Sequence, residues 1–221
     1  ENLPGYDEGA WWVQDAGATL PVQLFGDLKG ADVLDVCAAP GGKTAQLLSA
    51  GANATAIDIS AKRLGLLRQN LDRLELRAEL IQADIKKWST SKLFDFILVD
   101  APCSATGTIR RNPDILILKT DADVQKLRLL QTEILKSVSR LVKPGGTLVY
   151  CTCSLQYEEG EAQIDHFLSE NKEFTRSPID AHEIGELPDA INKNGDLRLL
   201  PFHLDRTEGS DGFFAARLFR K

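Results

Sequence analysis

Val33-Leu34-Asp35-Val36-Cys37-Ala38-Ala39-Pro40-Gly41-Gly42-Lys43-Thr44 is the stretch that decides the fold. An apolar run leads into a Gly-rich turn, and Lys43-Thr44-Ala45 leaves the turn into a helix. Glycines let the backbone approach a ligand closely, and a helix N-terminus favours negative charge. The segment therefore reads as the first β-α unit of a ligand-binding sheet.

The same alternation continues outward. Strands are expected at Asp32–Val36, Ala54–Ile57, Glu79–Gln82, Phe94–Val99, Thr147–Thr152 and Gly212–Leu218. Their unbroken apolar character suits strands buried on both faces, as in a parallel sheet. Helices are expected between them. Gln14–Phe25 precedes the first strand and Thr44–Ala50 follows the turn. Ala61–Leu74 starts after the N-cap Ser60 and repeats Leu64, Leu67, Leu71 and Leu74. Asp123–Leu141 is closed by Lys143-Pro144-Gly145-Gly146, and Glu158–Asn171 is amphipathic. Repeated β-α units imply a doubly wound sheet. Ser177–Arg206 reads as loops and short strands, with Leu197–Leu200 at a sheet edge.

Three ligands compete for the turn. A P-loop requires G-x-x-x-x-G-K-[ST]; Gly42-Lys43-Thr44 matches its end, but Cys37 stands where the first Gly belongs. A dinucleotide fingerprint requires G-x-G-x-x-G, which is absent. S-adenosylmethionine (SAM) has no pyrophosphate to cradle and needs an acid at the end of the second strand for its ribose. Asp58 fits that place, and Asp84 follows the third strand in order to lie near the adenine. Each acid alone reads as a helix cap or a solvated charge. Three such features in β-α order at strand ends point to one site, because open α/β sheets bind ligands outside the C-terminal strand ends.

The 221 residues make one large domain or two small ones, 43% hydrophobic and 26% charged, as in ordinary globular proteins. No apolar run approaches the roughly 20 residues that span a bilayer, and Glu1-Asn2-Leu3-Pro4-Gly5 is not a signal peptide. Four cysteines in or beside apolar runs favour a reducing, cytoplasmic setting. A net charge of −6 argues against a generally basic nucleic-acid coat but leaves room for a local basic groove. The chain has no Met, which is the expectation for a fragment of a longer protein.

Two cysteines end strand-like runs, in Asp100-Ala101-Pro102-Cys103-Ser104-Ala105-Thr106-Gly107 and in Tyr150-Cys151-Thr152-Cys153-Ser154. These segments, the Gly-rich turn, Arg110-Arg111-Asn112-Pro113-Asp114 and the terminal Asp211-Gly212-Phe213-Phe214-Ala215-Ala216-Arg217-Leu218 resemble the motifs of RNA (cytosine-5) methyltransferases. The likeness is to the Sun/Fmu, RsmB-like group, which modifies small-subunit ribosomal RNA. It runs from about Gly5 to the C-terminus. The resemblance implies a Rossmann-like SAM-dependent methyltransferase fold: a mostly parallel seven-stranded sheet with an antiparallel C-terminal strand, in a single catalytic domain over residues 1–221. It implies that Cys37, Ala38, Ala39, Pro40, Gly41, Gly42, Lys43, Asp58, Asp84 and Asp100 line the SAM site. It further implies that Cys153 is the nucleophile and that Cys103 resolves the covalent intermediate. Similar proteins carry an N-terminal RNA-binding domain related to NusB, which this stretch does not include. Ile115-Leu116-Ile117-Leu118 departs from the group, where a basic or aromatic residue more often follows Pro-Asp-Ile.

The chemistry explains the residue types. Cytosine C5 is a weak nucleophile. A thiolate adding at C6 puts electron density on C5, which takes the methyl group; loss of the C5 proton then expels the thiol. The thiolate needs a nearby cation, and Lys43 is the candidate. Asp100, holding or sharing a proton, donates to N3, while Pro102 shapes the turn around an extruded base. Arg110 and Arg111 are placed to hold RNA phosphates, with Lys62 and Arg63 nearby. Arg63 caps cofactor contacts or pairs with an acid. Each of these charges reads equally as a solvated surface group. Trp11 and Trp12 stack on RNA or pack in the core.

Cys151 reads as a buried hydrophobe, set by strand alternation on the opposite side from the neighbours of Cys153. Cys37 reads as turn backbone with an inert side chain. Zinc is not expected from Cys151 and Cys153, because C-x-C lacks the usual spacing. His166, His182 and His203 are dispersed. The alternatives are a cytosine-5 methyltransferase acting on tRNA or DNA, with Cys103 the nucleophile in the DNA case, a non-catalytic RNA-binding homologue, and a nucleotide hydrolase using Lys43 and Thr44.

Overall fold

A computed structural model describes residues 3–204 and 209–221. Four parallel strands form one half of the sheet: β1 (Asp32–Val36), β2 (Asn53–Asp58), β3 (Glu79–Gln82) and β4 (Phe94–Asp100). β5 (Val142–Thr152) continues parallel to β4, and β8 (Phe213–Arg220) runs antiparallel beside it. The far edge of β8 is shared by two short strands, β6 (Phe174–Arg176) and β7 (Leu197–Leu199), both antiparallel to it. The order is β3-β2-β1-β4-β5-β8-β6, with β7 off that path. The sheet therefore has eight strands where the family pattern implies seven, because its last edge position is filled in two pieces. The mostly parallel architecture with an antiparallel C-terminus is as expected.

Period-two alternation assigns the layers. Ile97, Val99, Leu148, Tyr150, Phe214, Ala216 and Leu218 face one core, packed against Ile134, Leu135 and Val138 of α5 (Asp121–Ser139) and Ile164 and Phe167 of α6 (Glu161–Glu170). Leu98, Val149, Cys151, Phe213 and Ala215 face the other, with Leu20 and Val22 of α1 (Ala16–Gln23) and Leu47 of α2 (Gly42–Ser49). The expected Leu64, Leu67 and Leu71 stripe of α3 (Ala61–Arg73) is buried against Ala45 and Ala56. Ser60 caps α3 by accepting from Arg63 N, and Thr120 and Asp123 form a reciprocal capping box on α5.

Two expectations change. The helix placed at Asp123–Leu141 ends at Ser139, and Lys143-Pro144-Gly145-Gly146 does not follow it as a loop but lies inside β5. Between the Phe94↔Val142 and Phe96↔Thr147 pairs, β4 advances two residues while β5 advances five. Pro144 has no amide to give the ladder, and Gly145 sits at φ +77, so the extra residues bulge out of register. β6 and the one-turn α4 (Ile115–Leu118) are additions. The Ser177–Arg206 stretch is irregular as expected, although 205–206 and the N-terminal Glu1 and Asn2 lie outside the described residues.

Candidate active site

Every β-α turn on the C-terminal side of the parallel strands contributes to one region. After β1 the chain turns through Cys37 at φ +62 and Gly41 at φ +106, the left-handed region where L side chains are strained. A Cβ at Gly41 would also lie 2.8 Å from Leu67 Cγ. Beneath the turn Asp35 is buried, with Oδ2 accepting from Thr44 Oγ1 at 2.6 Å; its Oδ1 has no hydrogen-bond partner among the described residues. Burial, helped by the nearby Asp100, pushes the Asp35 carboxyl up to about 7.

Asp58, at the end of β2, accepts from Ala39 N at 3.2 Å on Oδ2 and from Ser60 N at 2.9 Å on Oδ1. Arg63 Nη1 stands 3.6 Å from the same carboxylate and Nη2 donates to Ala39 O, so Arg63 both pairs with the acid and braces the turn. Asp84, just beyond β3, accepts from Lys86 N at 3.1 Å. Asp100, the last residue of β4, accepts from Lys43 Nζ at 2.8 Å on Oδ2, and its Oδ1 lies 3.6 Å from Cys151 Sγ. Lys43 also stands 4.9 Å above the Phe213 ring. Burial works against the Lys43 charge, but Asp100, Cys151 and Asp35 together outweigh it and the ammonium titrates above its ordinary range.

Two cavities flank this cluster. The first, about 380 Å³, is lined by Cys37, Asp58, Arg63, Asp84, Asp100, Pro102, Cys103 and Cys153, together with Ile59, Ile85, Leu130 and Ile134. The second, about 390 Å³, is lined by Ala38, Pro40, Gly41, Gly42, Lys43, Asp100, Arg111 and Cys153, with Trp12, Gln14, Asp211 and Phe213. The Gly-rich turn, grouped in the sequence with one cofactor site, is thus divided: Cys37 faces the first cavity, and most of the remainder faces the second. Asp100 and Cys153 line both.

Fifty residues apart in sequence, Cys103 and Cys153 bring their sulfurs to 3.5 Å. Ala101 N donates to Cys151 O and Gly107 N to Cys153 O, each at 2.9 Å, so the β4 and β5 turns are stitched together. A Cβ at Gly107 would lie 2.0 Å from Gly212 O and 2.8 Å from Cys153 O; only glycine permits this approach. The hydrogen-bonding contact with Cys103 lowers the Cys153 pKa; burial and Asp100 oppose this, and the Lys43 cation assists it. The Cys103 thiol is held well above its usual range by that same hydrogen bond and by burial. Cys37 is pushed up to about 12 by burial and the surrounding carboxylates, and Cys151 rises by burial and Asp100. Cys151 is buried as expected, yet its sulfur touches a carboxylate as well as the core.

Both arginines are ion-paired. Arg111 grips the buried Asp211 through Nε and Nη2, and Arg110 Nη2 lies 3.8 Å from Asp211 and 3.9 Å from Asp15. Each pairs with an acid far away in sequence, yet the Arg110 and Arg111 side chains remain 43% and 52% exposed. Arg110 and Ala39 line neither cavity. Trp12 lines the second cavity with Nε1 donating to Gln14 at 2.7 Å, whereas Trp11 packs on Tyr6 and donates to Pro4 O. Lys62, His166 and His182 are exposed. Leu116, Ile117 and Leu118 of α4 are also exposed. Sequence reasoning missed Gln131 and Glu159, buried polar residues whose local sequence carries no signal, and gave Asp211 no role beyond its place in the terminal motif; each matters through segments distant in the chain. No helix among the described residues is long and apolar enough to cross a membrane.

This sheet, with its cavity over the strand ends, defines a Rossmann-like methyltransferase fold. It superposes on a methyltransferase homologue from Pyrococcus horikoshii with a TM-score of 0.78 at 29% identity, over 99% of this chain and 71% of that one. Residues 25–219 match the family described as 16S rRNA methyltransferase RsmB/F, and the chain belongs to that family. It is 43% identical to the ribosomal RNA small subunit methyltransferase B of Salmonella arizonae, over 99% of this chain and 49% of the relative. A structure of NSun6 from Pyrococcus horikoshii with SFG superposes with a TM-score of 0.82 at 28% identity, over 99% of this chain and 55% of that one. The chain spans about half the length of the curated relatives it matches.

Proposed function

We propose that this domain transfers a methyl group from SAM to C5 of a cytosine in RNA, with small-subunit ribosomal RNA as the substrate, through a covalent bond between Cys153 and C6. One observation carries the reading: Asp100 and Cys153 line both cavities, so a donor in one meets a base in the other at a cysteine.

The first cavity fits the donor. After accepting the Ala39 and Ser60 amides, Asp58 keeps acceptor capacity for ribose hydroxyls, because a carboxylate offers about four lone-pair sites. Asp84 and the apolar walls Ile59, Ile85, Leu130 and Ile134 suit an adenine ring and its exocyclic amine. When bound, SAM supplies an electrophilic methyl group on sulfur.

The chain's own groups do the rest. The Cys153 thiolate adds to C6, breaking the C5–C6 π bond and moving its electron pair to C5. As negative charge spreads over the ring, the proton that Lys43 shares with Asp100 Oδ2 is relayed through the carboxyl group to N3. After C5 is methylated, its proton passes to solvent water, the C5–C6 double bond re-forms, Cys153 leaves as thiolate and the N3 proton returns through Asp100 to Lys43. Cys103, in contact with Cys153, serves that resolution. The second cavity opens beside the turn and receives a base that is unpaired or flipped from its stack.

The test is methyl transfer from labelled SAM to bare ribosomal RNA, with mapping of the modified cytosine, together with trapping on 5-fluorocytosine RNA. The adduct should vanish in Cys153→Ala. Loss of the adduct in Cys103→Ala with retention in Cys153→Ala would overturn the assignment.

A further inference from the structure

Glu159 is fully buried between the two cysteine turns. Its carboxylate accepts from Ser104 N at 2.9 Å, from the hydroxyls of Ser104 and Ser154 at 2.5 Å each, and from Gln131 Nε2 at 3.0 Å. Gln131 also donates to Pro102 O at 2.8 Å. Ser104 and Ser154 immediately follow Cys103 and Cys153. One carboxylate therefore anchors both cysteine turns from beneath. Burying a carboxyl group is expensive unless it is hydrogen-bonded, and this one meets four donors.

The surrounding charges are distributed unevenly. Lys43 and Arg111 share the second cavity with Cys153, which Cys103 does not line, whereas Glu159 accepts the backbone amide directly after Cys103 and reaches the Cys153 turn only through the Ser154 hydroxyl. We infer that Glu159 is a positioning residue that assigns the two sulfurs their roles: it holds Cys103 and Cys153 in contact, and its charge on the Cys103 side keeps the shared proton there. Cys153 is left as the nucleophile. The purpose of this device rests on the covalent reading above; its test requires neither RNA nor methyl donor.

The experiment is limited alkylation by iodoacetamide at pH 8, with each cysteine quantified by peptide mass spectrometry. The native chain should modify Cys153 ahead of Cys103. In Glu159→Gln the Cys153-to-Cys103 ratio should fall about tenfold, the equivalent of one unit of relative proton affinity. Glu159→Asp, which keeps the charge on a shorter arm, should give an intermediate ratio. An unchanged ratio in a Glu159→Gln protein that melts cooperatively overturns the inference. If that variant does not melt cooperatively, Ser154→Ala removes a single arm and should shift the ratio in the same direction; no shift there overturns the inference too. Absence of methyl transfer with the native alkylation preference intact would count against the proposed function alone.

Discussion

Lys43 Nζ lies 2.8 Å from Asp100 Oδ2, joining the helix that follows the Gly-rich turn to the end of a strand 57 residues away. Lys43 is nearly buried and Asp100 about one-third exposed, so the pair is partly screened. Lys43→Met should cost about 2 kcal/mol in urea unfolding, less than a fully buried pair would lose. It should also raise the pH midpoint for Cys153 alkylation, since a neighbouring cation is gone. The Lys43 pKa is raised in the fold above 10.5, so its contribution to stability is complete below that pH and is lost as pH rises through the higher folded value. A native stability profile that declines below pH 9 through this pair would contradict the assignment.

Asp35 predicts the same trend at lower pH. Its carboxyl titrates at about 7 in the fold against 3.8 unfolded. Between those values the unfolded chain releases the proton while the folded chain keeps it, so stability falls as pH rises through the window. Asp35→Asn should flatten that slope and be more stable than the native chain by about 2 kcal/mol at pH 8. Chemical denaturation at pH 4, 6 and 8 checks both.

The neighbouring arginines should separate cleanly. Arg111→Ala strips the partner from buried Asp211 and should cost about 2–3 kcal/mol of stability. Arg110 is held only by longer contacts, so Arg110→Ala should leave stability within about 0.5 kcal/mol. Arg110→Ala should weaken RNA binding and lower the salt-dependence slope by about 1. Filter binding over a salt series reads this, and an unchanged slope would remove Arg110 from the RNA surface.

Gly107→Ala places a methyl group against two carbonyl oxygens at distances no real Cβ tolerates. It should destabilise the chain by more than about 3 kcal/mol and uncouple the cysteine turns, reducing 5-fluorocytosine trapping in whatever protein remains folded. Wild-type trapping by a stable Gly107→Ala protein would show that the close approach is unnecessary.

The fold was largely legible because its signals are local. Apolar runs of strand length, the Leu64–Leu71 stripe and the Ser60 cap each arise within a few residues, and the structure places strands and helices there. Lys143-Pro144-Gly145-Gly146 misled because a stop signal and a bulge use the same residues; only pairing with β4 distinguishes them. The candidate site was legible in part. Cys37, Asp58, Asp84 and Asp100 could be ordered along strand ends, but the division of the turn between two cavities could not be read.

By itself, the chain's sequence determined which segments become strands and helices and which reactive side chains stand at strand ends, since propensity and periodicity act over a turn or two. Tertiary structure alone decided that two sulfurs fifty residues apart touch, that Glu159 lies beneath both, and that Arg111 is taken by Asp211. Those contacts join segments with no local correlation, and they exist only once the sheet has brought the ends of β4, β5 and β8 to one edge.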